Sequence, residues 1–343
     1  MPPLLDEGLA PVTAAVLDIP TTGIAHRAAD RRDAWTILGT DVSGASSVRD
    51  ALDRADLLGW DVRKIGNVTA TEITEHGVTT IAMPGTFANV RTNVRTRETE
   101  YLATVGNRFR PIAMERHIDA LELMAREIGA TPDMAGAYKG GARSFLTLRL
   151  PKAVSIGGVD MHDMNIAAYF YNDGSAKDSV NLSPVRQWCG NMQSLVIAKA
   201  QRSYKIPHLA SADKRLGEVY AALSSLLGYQ DAFVREAERM LNTKLTLGKF
   251  EKVVHQLWTP PVAPNKTELK TWQTRTTTLR TLFDSADTQA NIRGTVWAGW
   301  NAVGEYLDHY TPRRSDASRG TASLGSAALA MKTKARKLLM LAA

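Results

Sequence analysis

The hydrophobic period of the sequence changes along the chain, and these changes decide which fold class is open to it. From Trp60 to Gly106, short β-branched runs are separated by Gly, Asn and Pro, which indicates an antiparallel meander. Ile112–Ile128 then repeats its apolar residues at helical spacing, and further strands follow over Asp133–Leu182 with a hairpin turn at Asn172-Asp173-Gly174. After Pro184 helical patterns dominate. The sequence therefore predicts an α+β fold, in which an antiparallel β-meander with packed helices is followed by a mainly helical C-terminal region.

The same patterns divide the chain into four segments. Residues 1–45 contain several prolines and no sustained period, which indicates an extended N-terminal arm. Residues 46–210 form the α+β core, residues 211–311 a helical region, and residues 312–343 a basic linker with a terminal helix. Gly, Ser and Arg over 312–325 indicate that this linker is flexible.

Charge and composition exclude several classes of protein. Lys and Arg number 42 against 35 Asp and Glu, and the net charge of +7 favours a polyanionic partner. The single cysteine, Cys189, can form no internal disulfide. The longest apolar runs fall short of the ~20 residues that a spanning helix needs, and Asp6 and Glu7 stand where a signal peptide would carry Lys or Arg. We therefore expect a cytoplasmic protein with no membrane partner.

The motifs of common enzymes are missing from the sequence. It contains no Gly-x-x-x-x-Gly-Lys-[Ser/Thr] loop for ATP, no Gly-x-Gly-x-x-Gly, no Gly-x-Ser-x-Gly and no His-Glu-x-x-His. We expect a protein that is not an enzyme and that needs no cofactor. One alternative stays open, because Asp160, His162 and Asp163 lie close enough in sequence to hold a divalent metal ion.

Three sets of basic residues are the candidates for binding. In the first set, a strand from Val90 to Arg97 would place Arg91, Arg95 and Arg97 in one row and the valines in the other. Guanidinium groups ~7–14 Å apart share the length scale of successive phosphates in an extended nucleic-acid strand. The alternative is a solvated outer face.

The second set adds an aromatic residue. Arg143, Phe145 and Arg149 alternate with leucines, so a strand would place the three on one face. Phe145 could then stack on a base while the two arginines neutralise the backbone. Lys139, in the preceding Gly-rich turn, suits a phosphate contact. The alternative is that Phe145 is buried under a helix.

The third set follows Pro184. Arg186, Lys199 and Arg202 belong to a stretch over 186–215 in which only Asp213 opposes six basic residues. If the first two sets line a groove, we expect this third set to close it.

Two motifs carry a family resemblance: Pro184-Val-Arg-Gln-Trp-Cys-Gly-Asn191 and Asn301-Ala-Val-Gly-Glu-Tyr-Leu-Asp-His309. With weaker matches between residues 35 and 310, they resemble the phage- and plasmid-encoded family called domain of unknown function 932, although Gln187 and Trp188 depart from its usual aliphatic pair. The resemblance implies a phage or plasmid origin and a bacterial host, but the family label carries no established chemistry. The order of elements is also similar to the core of the phage annealing proteins of the RecT, Erf and Redβ group.

This second similarity implies a function. We expect an ATP-independent protein that binds and anneals single-stranded DNA in phage recombination, with residues 46–210 as the nucleic-acid-binding core. The similarity also implies assembly of copies into a ring or filament, and a phage exonuclease as a further partner. The alternative is a non-catalytic phage structural or assembly protein whose basic faces are solvated.

Overall fold

The computed structural model describes residues 32–66, 68–187, 203–208 and 218–343. This part of the chain has antiparallel sheets and a helical C-terminal region, which confirms the α+β class. The helices are α1 (Ala34–Leu38), α2 (Val48–Arg54), α3 (Ile118–Ile128), α4 (Val219–Leu241), α5 (Leu247–Leu257), α6 (Lys266–Asp284), α7 (Val296–Glu305), α8 (Asp316–Ser323) and α9 (Ser326–Ala342). The strands are β1 (Thr40–Asp41), β2 (Arg63–Ile65), β3 (Thr69–Thr74), β4 (Gly77–Ala82), β5 (Thr86–Thr92), β6 (Thr99–Gly106), β7 (Thr131–Tyr138), β8 (Arg143–Arg149), β9 (Val154–Ile156), β10 (Asp160–Tyr171), β11 (Asp178–Arg186) and β12 (Ser203–Ile206).

The largest sheet of the described chain has seven strands in the order β1-β7-β8-β10-β11-β12, with β9 paired to β10. Its neighbouring strands are all antiparallel. The turns over 139–142 and 172–177 lie at the same end of this sheet, because Arg143 at the start of β8 pairs with Tyr171 at the end of β10. The hairpin predicted at Asn172-Asp173-Gly174 is confirmed. We call this edge the turn end of the sheet.

The two faces of the large sheet are both covered over β8. Leu146 and Leu148 belong to the main core, together with residues of α3 and α4. Phe145 points the other way, as the alternating pattern predicts, but it packs in a second core with Trp35 of α1 and Ala167 of β10. The face that the sequence presents as open is therefore shielded by a helix from the predicted N-terminal arm.

Two smaller sheets stand beside the large one. One has the order β2-β5-β6, and the other is the hairpin of β3 and β4. The predicted strand from Val90 to Arg97 is interrupted after Thr92, where β5 ends. There the Asn93 carboxamide turns the chain, because it accepts hydrogen bonds from the backbone N–H groups of Arg95 at 2.9 Å and Thr96 at 3.1 Å. We therefore find that one prediction is wrong: no single strand carries Arg91, Arg95 and Arg97 in one row.

The prediction that residues 312–325 form a flexible linker is also wrong, since α8 occupies most of this segment. The Ser315 hydroxyl caps this helix by accepting a hydrogen bond from the N–H of Ser318 at 3.2 Å. Gly320 faces α1 so closely that a Cβ there would lie 2.8 Å from Cγ of Leu38. The Ser and Gly residues that resemble a linker in the sequence are a helix cap and a helix–helix contact.

The remaining C-terminal helices complete the main core. Trp297 and Trp300 of α7 are buried and their rings stack at 5.3 Å. α9 packs against α5 and α7, and the indole N–H of Trp300 donates to the carbonyl oxygen of Lys332 at 2.8 Å.

Within the described ranges, none of the helices combines enough length with enough apolar character to cross a membrane.

Candidate functional site

The first basic set is largely engaged with neighbouring side chains. Arg91 forms an ion pair with Glu100 at 2.7 Å, and its guanidinium lies 4.0 Å from the centre of the Trp60 ring. Arg95 pairs with Asp56. Arg97 is exposed in the turn between β5 and β6, with a positive φ of 62°. The structure therefore does not bring these three arginines into one cationic row.

The second set lies partly on the turn end of the sheet. Nε of Arg143 donates to Asp173 at 2.7 Å, and Nη2 of Arg149 donates to Asp133 at 2.7 Å. The side chain of Lys139 is exposed and makes no hydrogen bond or ion pair with another described residue. Phe145 is fully buried, so the expectation that it faces a binding groove is wrong.

Arg186 of the third set is fully buried and joins the large sheet to the C-terminal helices. Its Nε donates to the Asp160 carboxylate at 2.7 and 2.9 Å, and its Nη1 donates to the carbonyl oxygen of Thr288 at 2.6 Å. The expectation that Arg186 closes a groove is wrong, since its side chain does not reach the surface. Lys199 and Arg202 lie outside the described residues.

The Asp160 carboxylate is the centre of this buried network. It also accepts a hydrogen bond from the indole N–H of Trp297 at 2.7 Å and lies 3.1 Å from Nε2 of His162. Burial alone would raise the pKa of Asp160, but Arg186 and His162 hold it below its ordinary value. Asp163 points to the opposite face of β10. In the part of the chain that the structure describes, no group of three His, Cys, Asp or Glu side chains is placed to hold a metal ion.

A groove that the sequence patterns above do not indicate lies on the outer face of β10, β11 and β12. Alternate residues of these strands form its floor, and the end of α8 with the start of α9 forms its wall. It contains about 500 Å³ of accessible space, which lies within the range of ligand-binding clefts. Tyr169 and Tyr171 line it from β10. We call it the β10–β12 groove.

The lining of the β10–β12 groove is positively charged. Lys177 and Lys205 both line it, and neither pairs with another described residue. Lys205 lies opposite Ser179 in the strand register, and Lys177 lies two residues before Ser179, in the turn that precedes β11, so both lysines lie at the turn end of the groove. A third lysine, Lys332, is buried and donates to Asp308 at 2.7 Å. No acidic residue of the described chain lines the groove, so it attracts anions.

A row of small polar side chains on β11 forms the middle of the groove floor. Nδ2 of Asn181 donates to the Ser179 hydroxyl at 3.1 Å and to the carbonyl oxygen of Ala167 at 3.4 Å. Ser183 is only 3% exposed, and its hydroxyl has no hydrogen-bond partner among the described residues. The alternation of polar residues from Lys177 to Ser183 is the sequence signal that could have found this row.

A buried carboxylate anchors β12, which carries Lys205. Oδ1 of Asp178 lies 2.8 Å from Nε2 of His208, and its Oδ2 lies 3.2 Å from Nε2 of His117. Burial alone would raise the pKa of Asp178, but the two imidazoles lower it to about 2. Burial opposes protonation of His208, yet the hydrogen bond to Asp178 raises the pKa of this imidazole above its ordinary value. The contact between His208 and Asp178 holds the end of β12 against β11.

Most of the β10–β12 groove lies within a segment that matches the model of a known family. A family model described as "Domain of unknown function (DUF932)" matches residues 101–329, about two-thirds of the chain. This range includes the whole floor of the groove and most of its wall. No curated protein and no solved structure matches the chain.

Proposed function

Since the chain belongs to the DUF932 family, whose description names no activity, we propose that the protein binds single-stranded DNA in the β10–β12 groove and anneals complementary strands without ATP. The observation that carries this proposal is the composition of the groove. Two lysines that pair with no other described residue line it together with two tyrosines, and no described acidic residue does. A cationic groove with aromatic side chains is the usual arrangement for binding single strands without sequence preference.

Each part of the groove has a task in this proposal. Lys177 and Lys205 contact phosphates, because both lie at the turn end of the groove and no described acidic residue lines it. Tyr171 offers an aromatic surface to a base, and the guanidinium of Arg143 lies 5.3 Å from the centre of its ring. Lys139, on the neighbouring turn, extends the positive charge along the turn end of the sheet.

The biological setting is also proposed. A groove in one copy holds few nucleotides, so annealing requires several copies arranged side by side as a homo-oligomeric ring or filament. We propose that the protein acts in phage recombination in the bacterial cytoplasm, with a phage exonuclease supplying the single strands. The similarity in element order to the phage annealing proteins supports this setting.

The alternative function is a structural or assembly role, and one feature favours it. The hairpin of β3 and β4 projects with every residue exposed, including Ile73 at 80%, Val78 at 67% and Ile81 at 58%. Exposed apolar side chains of this kind are typical of surfaces that meet another protein. If the protein has this structural role, the groove would not bind single-stranded DNA in preference to duplex DNA.

Binding and annealing by the purified full chain test the proposal. We expect labelled single-stranded DNA to bind more tightly than a duplex of the same length, and complementary strands to anneal in the presence of a chelator and without nucleotide triphosphate. Equal, weak binding to both forms with no annealing would favour the structural role. An absolute requirement for ATP would contradict the proposal.

A further inference from the structure

The first 25 residues differ in charge from the chain as a whole. They contain three acidic side chains, Asp6, Glu7 and Asp18, and no Lys, Arg or His, whereas the whole chain has a net charge of +7. These residues lie outside the described ranges. We call residues 1–25 the acidic segment. A segment of this charge is attracted to cationic surfaces of the same molecule.

The described chain begins beside the wall of the β10–β12 groove. Arg32 pairs with Asp316 of α8 at 2.9 Å. Arg32 also lines a small cavity together with Ser323, and Ser323 lines the groove as well. The next helix, α1, contacts the groove floor, because the indole N–H of Trp35 donates to the Tyr169 hydroxyl at 3.0 Å. The acidic segment is therefore attached to the fold next to the groove.

The chain that joins the acidic segment to Arg32 is long enough to reach the whole groove. The part of the groove floor between Lys177 and Ser183 spans at most about 20 Å. A chain of 14 residues, which is the separation of Asp18 and Arg32, spans up to about 46–50 Å when it is extended. The other two acidic residues lie farther from Arg32 in sequence, so all three carboxylates can reach the groove lysines.

The charge of the groove is complementary to that of the acidic segment. Lys177 and Lys205 line the groove and pair with no other described residue, and no described acidic residue lines it. Covalent attachment through a short connection gives a local concentration on the order of millimolar. A contact with a dissociation constant of about 1 mM would therefore form in about half of the molecules.

We propose that the acidic segment docks in the β10–β12 groove of its own chain and competes there with single-stranded DNA. The carboxylates of the segment lie opposite Lys177 and Lys205, where the strand phosphates would otherwise bind. DNA therefore has to displace the segment, and its apparent affinity falls in proportion to the fraction of molecules whose groove is free. The competition rests on the proposed function, in which the groove is the DNA site.

Carbodiimide cross-linking of the wild-type full chain tests the docking without DNA. The reagent joins a carboxylate to a lysine amine where the two are in contact, and mass spectrometry identifies the joined residues. We expect cross-links between the acidic segment and Lys177 or Lys205, at a yield that does not depend on protein concentration. The control lysines are Lys266 and Lys270, which are exposed on α6, and we expect the segment to form no cross-link with them.

Variants without the acidic side chains test the competition. The segment variant replaces the three acidic residues of the segment: Asp6→Asn, Glu7→Gln and Asp18→Asn. The control variant replaces three exposed acidic residues that do not line the groove: Glu72→Gln, Glu75→Gln and Asp284→Asn. Both variants gain the same net charge. Fluorescence anisotropy with a labelled oligothymidylate measures the affinity of each.

If the segment fills the groove in about nine molecules out of ten, its loss of charge raises the apparent affinity about tenfold. We therefore expect the segment variant to bind oligothymidylate about tenfold more tightly than the wild type. We expect the control variant to stay within about twofold of the wild type, because salt screens exposed charges that lie far from the bound strand.

The two experiments separate the docking from the proposed function. If oligothymidylate binds the wild type and both variants equally, or if the segment forms cross-links with the control lysines as often as with the groove lysines, the inference is refuted and the proposed function stands. A cross-link yield that rises with protein concentration would also refute it, since the segment would then come from another copy. If the groove cross-links form but no oligothymidylate binds, the docking stands and the proposed function fails.

Discussion

Truncation of Phe145 tests whether this residue stabilises the core or stacks on a base. Phe145 is fully buried, its ring centre lies 6.4 Å from that of Tyr138, and a Cβ on Gly39 would lie 2.8 Å from its Cζ. Phe145→Ala removes the ring that packs β8 against Trp35 of α1 and leaves a cavity in the second core. We expect it to lower the free energy of unfolding by about 3–5 kcal/mol, as for other buried phenylalanines.

Urea denaturation followed by circular dichroism measures this loss. The matched control is Phe87→Ala, because Phe87 is only half-buried and Lys64 covers one face of its ring at 4.2 Å. We expect the control to lose less than half as much stability. Below the melting temperature, Phe145→Ala should bind single-stranded DNA like the wild type. A loss below about 1 kcal/mol together with weaker DNA binding would refute the burial of Phe145 under α1, since a stacking aromatic contributes about 1–3 kcal/mol per base to binding.

Three further predictions concern the contacts that hold the groove in place. Asp160→Asn should leave Arg186 buried without its counter-charge and lower the free energy of unfolding by about 3–5 kcal/mol. The double variant Asp160→Asn with Arg186→Met should lose less stability, because it leaves no buried charge unpaired. Urea denaturation of both variants measures the difference. The pKa of His208 is raised above 6.5, so the stabilisation from its protonated form is complete below pH 6.5 and is lost as pH rises through the higher folded-state value. His208→Gln should therefore flatten the fall in the free energy of unfolding above about pH 6.5, and an unchanged pH dependence would contradict the pairing of His208 with Asp178. Gly320→Ala should press α8 against Leu38 of α1 and lower the free energy of unfolding by about 1–3 kcal/mol, and an unchanged melting temperature would contradict this close contact.

The parts of the fold that local patterns determine were predictable from the sequence. The change of period gives the α+β class, and the alternation of leucines with Arg143, Phe145 and Arg149 gives the two faces of β8. The burial of Phe145 was not predictable in this way, because the covering residue, Trp35, is far away in sequence. A period shows which residues share a face, but not what lies on that face.

The candidate site was missed for the same reason. Arg186 stands in a basic stretch, and only its distant partners, Asp160 and Thr288, make it a buried structural residue. The polar row on β11 is visible in the sequence as an alternation of polar and apolar residues. The wall of the groove is not, since Ser323, Leu324 and Gly325 lie in the segment over 312–325, whose composition is typical of a linker.

The salt dependence of single-strand binding tests the central claim, that the β10–β12 groove binds the strand, most directly. Each neutralised phosphate contributes about −0.7 to the slope of log affinity against log salt concentration. The account predicts that Lys177→Gln with Lys205→Gln reduces the steepness of this slope by about 1.4, whereas Lys266→Gln with Lys270→Gln, two exposed lysines of α6, leaves it unchanged. A groove variant with the wild-type slope and the wild-type affinity would contradict it.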